Sequence, residues 1–308
     1  MKQRITRWAM TGLAIVLVSG TMYAGGARAA DAAAAAINGT DGSKKAAHEM
    51  NGTVAVKETV RGDAVTAASE PSALAKTITL LHTNDSHARV EEADFDGMGF
   101  AKLSAIVKEK RANDPNTLLL DAGDTFHGSN FATLVRGKSI PQVLNEVGYD
   151  AMAAGNHDFD YGYERLLELR EMAEFPVLSA NVKRPDGGLV LEPYVVKVVG
   201  GVKLGIFGLT TPETTFKTHP DNVTGLEFED PATVAKEMVA ILKSQDVDAI
   251  IAVTHLGIDS SSTDTSIKVA QEAAGIDVIV DGHSHSTLVE GLQGEHDTLI
   301  VSAGEYTK

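Results

Sequence analysis

The chain has 308 residues, of which 43% are hydrophobic, so it can bury the core of one large domain or of two ordinary ones. Its formal net charge of −15 argues against a broad electrostatic surface for nucleic acid or for an anionic membrane. The absence of cysteine excludes a disulfide framework and a thiolate site. Any bound metal ion would therefore need nitrogen and oxygen ligands.

Residues 1–29 have the pattern of a secretory signal peptide. Three basic residues precede the apolar stretch Met10 to Val18, and Ala27-Arg28-Ala29 is a small-x-small cleavage site. A membrane anchor is the alternative, but this stretch is shorter than the ~20 apolar residues that cross a bilayer. We therefore expect export to the periplasm or the cell exterior, with no stable membrane span after cleavage.

Residues 30–75 are rich in Ala, Gly, Thr, Ser and Lys and show no sustained apolar period. This composition is typical of a disordered linker. The organised part of the chain is expected to be residues 76–308, where short strand-like runs alternate with helical patterns.

The pattern of elements predicts an α/β domain with a mixed sheet. The predicted strands are Ile78–Leu81, Thr117–Leu120, Val177–Leu178, Tyr194–Val199, Val202–Leu209, Ala249–Val253, Val278–Val280 and Thr298–Val301. Apolar helical faces are predicted at Phe100, Leu103, Ile106 and Val107, and at Val234, Met238, Ile241 and Leu242. Asp230 and Pro231 form an N-cap and first-turn pair for the second helix. Gly200-Gly201 predicts a hairpin, hence one antiparallel strand pair.

Five polar clusters each follow directly on a strand-like run. They are His82 to His87, Asp121 to Asp124, Gly155 to Asp160, Thr254-His255, and Asp281 to His285. Ligands of open α/β sheets bind beyond the carboxyl ends of the strands, so the five clusters can converge on one site.

The side chains in these clusters suit a metal site. His, Asp and Asn are ligands for Zn, Mn, Fe, Ni or Co, and a carboxylate can bridge two ions. Asp85 and His87 stand two residues apart, as do His283 and His285, and this spacing lets a pair flank one ion or reach two adjacent ones. Glycines at positions 123, 155 and 282 are predicted to allow sharp backbone turns beside the site.

In this order, the motifs resemble those of the calcineurin-like metallophosphoesterases. The motifs are Asp85-x-His87, Gly123-Asp124, Gly155-Asn156-His157-Asp158, His255 and Gly282-His283-x-His285. The segments Leu80 to Asp85, Gly208 to Glu213 and Ala303 to Tyr306 are similar to the bacterial secreted 5′-nucleotidase family. The resemblance covers about residues 76–308, which correspond to that family's N-terminal metal domain. It implies a four-layer αββα sandwich.

The resemblance implies two divalent metal ions. Asp85, His87 and His285 would hold one ion, Asn156, His255 and His283 would hold the other, and Asp124 would bridge them. His157 and Asp160 match the family's catalytic pair. His285 is the position at which relatives carry Gln or Asn. His82 and His127 match no ligand position and are interpreted as structural residues or as residues that support the ligands from behind.

The implied chemistry is hydrolysis of a small phosphoester, with a nucleoside 5′-monophosphate as the leading substrate. Two ions about 3.5–4 Å apart lower the pKa of a shared water and clamp an in-line displacement at phosphorus. Hydrolysis of 2′,3′-cyclic nucleotides or of UDP-sugars would use the same centre and stays open. A metal-binding surface module without turnover is the non-enzymatic alternative, which the presence of His157 and Asp160 disfavours.

Members of the 5′-nucleotidase family carry a second, C-terminal domain that holds the nucleotide base. The sequence ends at Lys308, before such a domain. We therefore expect the sequence to be a fragment of a longer protein; the alternative is a protein that lacks this specificity domain.

Overall fold

A computed structural model of the chain describes residues 13–19, 76–94 and 97–308. The predicted cleavage site and linker lie outside the described residues, so both stay predictions. Leu13–Ser19, from the predicted signal sequence, is an edge strand, β1. No helix in the described ranges is long and apolar enough to cross a membrane.

The first sheet has the strand order β1-β2-β3-β4-β5. Its further strands are β2 (Lys76–Thr83), β3 (Thr117–Asp121), β4 (Ala151–Ala153) and β5 (Val177–Leu178). From β2 to β5 all neighbours are parallel, with Leu80 opposite Leu118 and Met152 opposite Val177. Parallel pairing places the carboxyl ends of these strands at one edge of the sheet.

Beyond β5 lie a small ribbon and a second sheet. The ribbon pairs β6 (Val182–Lys183) with β9 (Glu227–Phe228). The second sheet contains β7 (Tyr194–Val199), β8 (Val202–Thr210), β10 (Ala249–His255), β11 (Val278–Asp281), β12 (Leu292–Gln293) and β13 (Leu299–Val301). Its order is β12-β13-β11-β10-β8-β7, parallel in the middle and antiparallel at both edges. The predicted hairpin at Gly200-Gly201 is confirmed by β7 and β8.

Helices cover the outer face of each sheet. They are α1 (Gly99–Asn113), α2 (Asn130–Thr133), α3 (Ser139–Val147), α4 (Tyr163–Met172), α5 (Thr214–Lys217), α6 (Pro231–Lys243) and α7 (Ser266–Glu272). Short 3₁₀ turns occur at His157–Phe159, Pro220–Val223 and Glu295–Asp297. α1, α3 and α4 pack on the first sheet through one buried cluster, and α6 and α7 pack on the second through another.

The other faces of the two sheets meet each other. Leu81 and Leu119 belong to the helix-facing cluster of the first sheet, whereas the alternating Leu80 and Leu118 are equally buried on the opposite face. The sheets approach closely at Gly208, whose carbonyl accepts a 2.8 Å hydrogen bond from Ala180 N. The layer order is therefore helix, sheet, sheet, helix, which confirms the predicted αββα sandwich.

Some local predictions need correction. Ile241, predicted on the buried face of α6, is 38% exposed, because Val234, Met238 and Leu242 follow an i, i+4 row that leaves it at the margin. The strands β6, β9 and β12 were not predicted. Each has only two residues, too few for an apolar pattern to register.

Candidate metal centre

The predicted polar clusters lie at the carboxyl ends of strands from both sheets, and the structure brings them together. Asp85 follows β2 and its backbone N donates to Gly123 O (2.9 Å) in the loop after β3. His283 follows β11 in the other sheet, and its backbone N donates to Asp85 Oδ2 (2.9 Å). One site therefore spans the two sheets.

Asp85, His87 and His285 form a first group, in which one ligand atom from each lies within 4.8 Å of the others. His285 Nε2 is 3.3 Å from His87 Nε2 and 3.5 Å from Asp85 Oδ1. Asp85 is fully buried, whereas His285 is partly exposed. The group has the donor set and spacing of a half-open cation site.

Asp124, His255 and His283 form a second group with the same 4.8 Å limit. His255 Nδ1 donates to Ala122 O (2.6 Å), which directs Nε2 toward Asp124 Oδ2 at 3.1 Å. The same Oδ2 lies 4.0 Å from His87 Nε2 in the first group. Asp124 thus belongs to the second group and approaches the first, and Asp85 Oδ1 of the first group lies 3.8 Å from His255 Nε2 of the second.

Unpaired atoms test whether these residues fit metal ions. Asn156 is 1% exposed, and its Oδ1 has no hydrogen-bond partner among the described residues. His255 Nε2 is also buried without a regular hydrogen bond, and its nearest carboxylate oxygen is Asp124 Oδ2 at 3.1 Å. Buried polar atoms are almost always paired, so an amide oxygen and an imidazole nitrogen left open beside carboxylates fit a bound cation.

The pKa shifts of Asp124 and His255 also fit a cation site. Burial acts to lower the pKa of His255, but the neighbouring carboxylates Asp124 and Asp85 outweigh it and raise that pKa to about 10. Burial acts to raise the pKa of Asp124, and the facing imidazoles hold it below its usual value instead. Without an ion, His255 therefore carries a proton that a metal would displace.

The backbone at the site adopts unusual conformations. Asp85, His87, Asp124, His283 and His285 all have positive φ, between 46° and 80°. Such left-handed geometry costs a non-glycine residue roughly 1–2 kcal/mol. It is typical of functional sites where surrounding structure imposes it.

The glycines predicted to turn the backbone behave differently from one another. Gly123 has the expected left-handed φ of +90°. Gly155 and Gly282 do not have a left-handed φ. They are needed because a Cβ on Gly155 would lie 2.2 Å from Asp124 Oδ1, and one on Gly282 2.9 Å from His255 Nδ1.

His157 and Asp160 lie beside the two groups as a hydrogen-bonded pair. His157 Nδ1 is 3.0 Å from Asp160 Oδ2, and the His157 and His87 ring centroids are 5.4 Å apart. Thr218 Oγ1 donates to Asp160 Oδ1 (2.9 Å) and fixes the carboxylate. The hydrogen bond to Asp160 is the main cause that raises the pKa of His157 to about 9. Nearby cations would act in the opposite direction.

Three carboxylates at the site were not predicted to have a role. Asp158 accepts hydrogen bonds from the backbone N atoms of Asp124, Thr125, Phe126 and Gly155. Glu213 contacts His283, and Glu305 contacts His285. Each lies inside a segment that carried the family resemblance, but spacing alone gave no reason to pair it with a histidine. His82 and His127 belong to neither group and are buried with both ring nitrogens unpaired in the described structure.

Comparison with known proteins identifies the family to which the chain is similar. Residues 78–287 match the family model of the calcineurin-like phosphoesterases. Human 5′-nucleotidase is 40% identical over 253 residues, which are 77% of this chain and 42% of that protein. The crystal structure of a 5′-nucleotidase precursor from Thermus thermophilus superposes with a TM-score of 0.66 and 33% identity, covering 75% of this chain and 49% of that one.

A third similar protein is the calcineurin-like phosphoesterase YfkN from Bacillus subtilis. It has a TM-score of 0.63 and 28% identity, and the match covers 73% of this chain and 81% of that structure. The chain thus spans less than half the length of the human and Thermus relatives. Because the family model covers most of the chain and the fold agrees, the chain belongs to the calcineurin-like phosphoesterase family.

Proposed function

We propose that the chain hydrolyses nucleoside 5′-monophosphates with the aid of two divalent metal ions. The observation that carries this proposal is the convergence of the two three-residue groups, which meet where Asp124 of the second group approaches His87 of the first, with the His157–Asp160 pair next to them. Similarity to 5′-nucleotidases over 77% of the chain supports the choice of substrate.

In this proposal Asp85, His87 and His285 hold one ion, and Asn156, His255 and His283 hold the other. Asp124 bridges the two, since its Oδ2 lies 3.1 Å from His255 Nε2 and 4.0 Å from His87 Nε2. The ions would be Zn, Mn, Co, Ni or Fe, which accept nitrogen and oxygen ligands. Bound there, they would lower the pKa of a water molecule and offset the negative charge of the phosphoryl group. Asn156 is a neutral ligand, so it adds no negative charge facing an anionic substrate.

The role proposed for His157 is to donate a proton to the leaving oxygen or a hydrogen bond to the phosphoryl group. Its Nδ1 is held by Asp160, which leaves Nε2 for the substrate. Asp160 is itself held by Thr218 and, through its backbone oxygen, by Asn222 Nδ2 (2.6 Å). A fixed, protonated imidazole next to the reacting centre is suited to general acid catalysis.

The test is turnover by purified protein supplied with Mn²⁺ or Zn²⁺. AMP, p-nitrophenyl phosphate, bis-p-nitrophenyl phosphate, a 2′,3′-cyclic nucleotide and a UDP-sugar serve as separate substrates. Preferential release of phosphate from AMP is expected. Preference for the cyclic nucleotide or the UDP-sugar would contradict the substrate assignment. Two equivalents of bound metal with no ester cleaved would favour a metal-binding module instead.

Two variants separate metal binding from catalysis. Asp124→Ala should lose bound metal together with activity, because it removes the shared carboxylate. His157→Ala should keep both ions but lower kcat by about 10²–10⁴-fold, the usual contribution of a positioned acid. Metal content is read by elemental analysis. Unchanged metal content in Asp124→Ala would refute its proposed bridging role.

We also propose that the protein is exported. Support comes from the basic start, apolar stretch and cleavage pattern of residues 1–29. Mass spectrometry of the mature protein from its native host should find an N-terminus at Ala30. An intact Met1 in the mature protein would contradict this proposal.

A further inference from the structure

Glu305 is placed to fix the orientation of the His285 ring. Its Oε2 is 2.7 Å from His285 Nδ1, while Oε1 accepts from Lys308 Nζ (2.6 Å). The opposite ring nitrogen, Nε2, is the atom that lies 3.3 Å from His87 Nε2 and 3.5 Å from Asp85 Oδ1. A proton held at Nδ1 by the carboxylate leaves a lone pair on Nε2 facing the first group.

Glu213 bears the same relation to His283, from another part of the chain. It follows β8, is 5% exposed, and places Oε2 3.1 Å from His283 Nε2. Its Oε1 accepts from Thr263 N (3.1 Å), so both carboxylate oxygens are engaged. With Nε2 of His283 committed to Glu213, Nδ1 is the nitrogen left for an ion.

The two histidines thus present opposite ring nitrogens, although only Ser284 separates them. A neutral imidazole has one protonated and one ligating nitrogen, and a carboxylate on one nitrogen decides which is which. Without such partners each ring could rotate or change tautomer, and the segment would have no fixed pair of ligating atoms. Two carboxylates on two separate loops remove that freedom.

We propose that Glu305 and Glu213 are positioning residues, one for each metal ion: Glu305 makes Nε2 of His285 a ligand of the first ion, and Glu213 makes Nδ1 of His283 a ligand of the second. This rests on the dinuclear centre proposed above but not on its catalytic activity.

The experiment measures metal affinity, not turnover. The full chain and the variants Glu305→Ala, Glu213→Ala, His285→Ala and His283→Ala are titrated with Zn²⁺ and Co²⁺ by calorimetry and by visible absorption of bound Co²⁺. Each glutamate variant should weaken one of the two ions by about 10–100-fold and leave the other within about twofold, as is usual for removal of such partners. Glu305→Ala should affect the same ion as His285→Ala, and Glu213→Ala the same ion as His283→Ala.

Double variants distinguish positioning from general loss of structure. Adding Glu305→Ala to His285→Ala should weaken binding no further, because Glu305 acts only through that ring. Glu305→Gln should recover most of the affinity, since its amide oxygen still accepts from Nδ1. Glu272→Ala, which removes a carboxylate paired with Lys236 on the outer helices, is the matched control and should bind as the parent does.

Thermal unfolding of the metal-free variants shows whether each is folded. Parent-like affinity in folded Glu305→Ala and Glu213→Ala would overturn the proposal, as would additive losses in the double variants or a parent that binds no metal. A parent that binds two ions but cleaves no ester would defeat the proposed function and leave this inference standing. The two failures are therefore distinguishable.

Discussion

Asp158 is a buried side chain that organises the centre without belonging to either histidine group. Its Oδ1 accepts from the backbone N atoms of Thr125 and Phe126, and its Oδ2 from those of Asp124 and Gly155. A carboxylate is required because only a group with two acceptor atoms can serve four donors. Asp158 therefore ties the loop after β3 to the loop after β4, and so sets the position of Asp124.

Asp158→Asn should destabilise the protein by about 2–3 kcal/mol. The amide NH₂ that replaces one oxygen would face two backbone donors, leaving buried groups unsatisfied. Denaturant unfolding of metal-free protein measures the effect. Asp186→Asn is the control, because Asp186 accepts one turn hydrogen bond from Gly188 N at the surface and should change stability by no more than about 0.5 kcal/mol. Equal effects of the two substitutions would contradict the role given to Asp158.

Asp121 gives a prediction about pH. Burial raises the pKa of this carboxyl to about 7, against hydrogen bonds from Thr83 and Thr125 that act to lower it. The unfolded-state pKa is 3.8, so between about pH 4 and pH 7 the folded protein holds a proton at Asp121 that the unfolded chain has released. The contribution of Asp121 to stability therefore falls as pH rises from about 4 to about 7.

Asp121→Asn removes that titration. The new amide can donate to Thr83 Oγ1, because the Thr83 hydroxyl can direct its own proton to Tyr149 OH instead. The variant should therefore become more stable relative to the parent as pH rises from 5 to 8. Unfolding curves at several pH values check this prediction. A difference independent of pH would show that Asp121 ionises as it does in water.

At the scale of an element, α6 begins with the cap that the sequence predicts. Asp230 accepts from Thr233 N (2.7 Å) and from Lys268 Nζ (2.9 Å) in the neighbouring α7, with Pro231 in the first turn. Asp230→Ala should cost about 1 kcal/mol of stability through loss of the cap. Asp230→Asn is the control, because it keeps a capping oxygen and loses only a partly exposed ion pair. Chemical denaturation should place it between the parent and Asp230→Ala.

The ends of the parallel strands are the elements that place the centre. β2, β3 and β4 carry Asp85, Asp124 and Asn156 on the loops that follow them, and β10 ends on His255 itself. Alternation of strands and helices was enough to predict this common edge. The rings of His283 and His285 could not be oriented from the sequence, because their partners Glu213 and Glu305 come from distant loops.

At the scale of the whole molecule, the two sheets are joined by close packing and by the centre itself. Gly208 allows the packing, since a Cβ there would lie 2.5 Å from Leu178 O in the other sheet. A Cβ added at Gly205, on the same strand, would lie 2.9 Å from Leu242 Cδ2. The Leu242 side chain can move away, whereas the backbone oxygen of Leu178 cannot. Gly205→Ala should cost about 1–3 kcal/mol, as moderate overpacking does, and Gly208→Ala more than that. Comparison of their thermal unfolding tests the difference, and equal costs would contradict it.

Removal of metal should lower the unfolding temperature, because the proposed ligands come from both sheets. An ion that binds only the folded state stabilises it by about 2.7 kcal/mol at one hundred times its Kd. Thermal scans with Mn²⁺ or Zn²⁺ and with a chelator measure the shift. Asp124→Ala should show little response to added metal. A metal-induced shift of the same size in that variant would place the stabilising ion elsewhere.

The sequence by itself determined the fold class and the family, and the resemblance to that family supplied the seven proposed ligands and the proposed His157–Asp160 pair. These are local features, because apolar periodicity and motifs at strand ends are properties of neighbouring residues. Three of the two-residue strands, β6, β9 and β12, were missed, and Ile241 was placed on the buried face of α6 although it is 38% exposed, since few residues define such features.

Only the tertiary structure decided which side chains face one another. It showed that Asp124 of the second group approaches the first, that Asp158 holds two loops together, and that close packing leaves no room for a Cβ at Gly155 or Gly282. It also paired Glu213 with His283 and Glu305 with His285. The physical reason is that hydrogen bonds and steric limits across 20 to 200 residues of chain depend on three-dimensional distance, which no spacing in the sequence encodes.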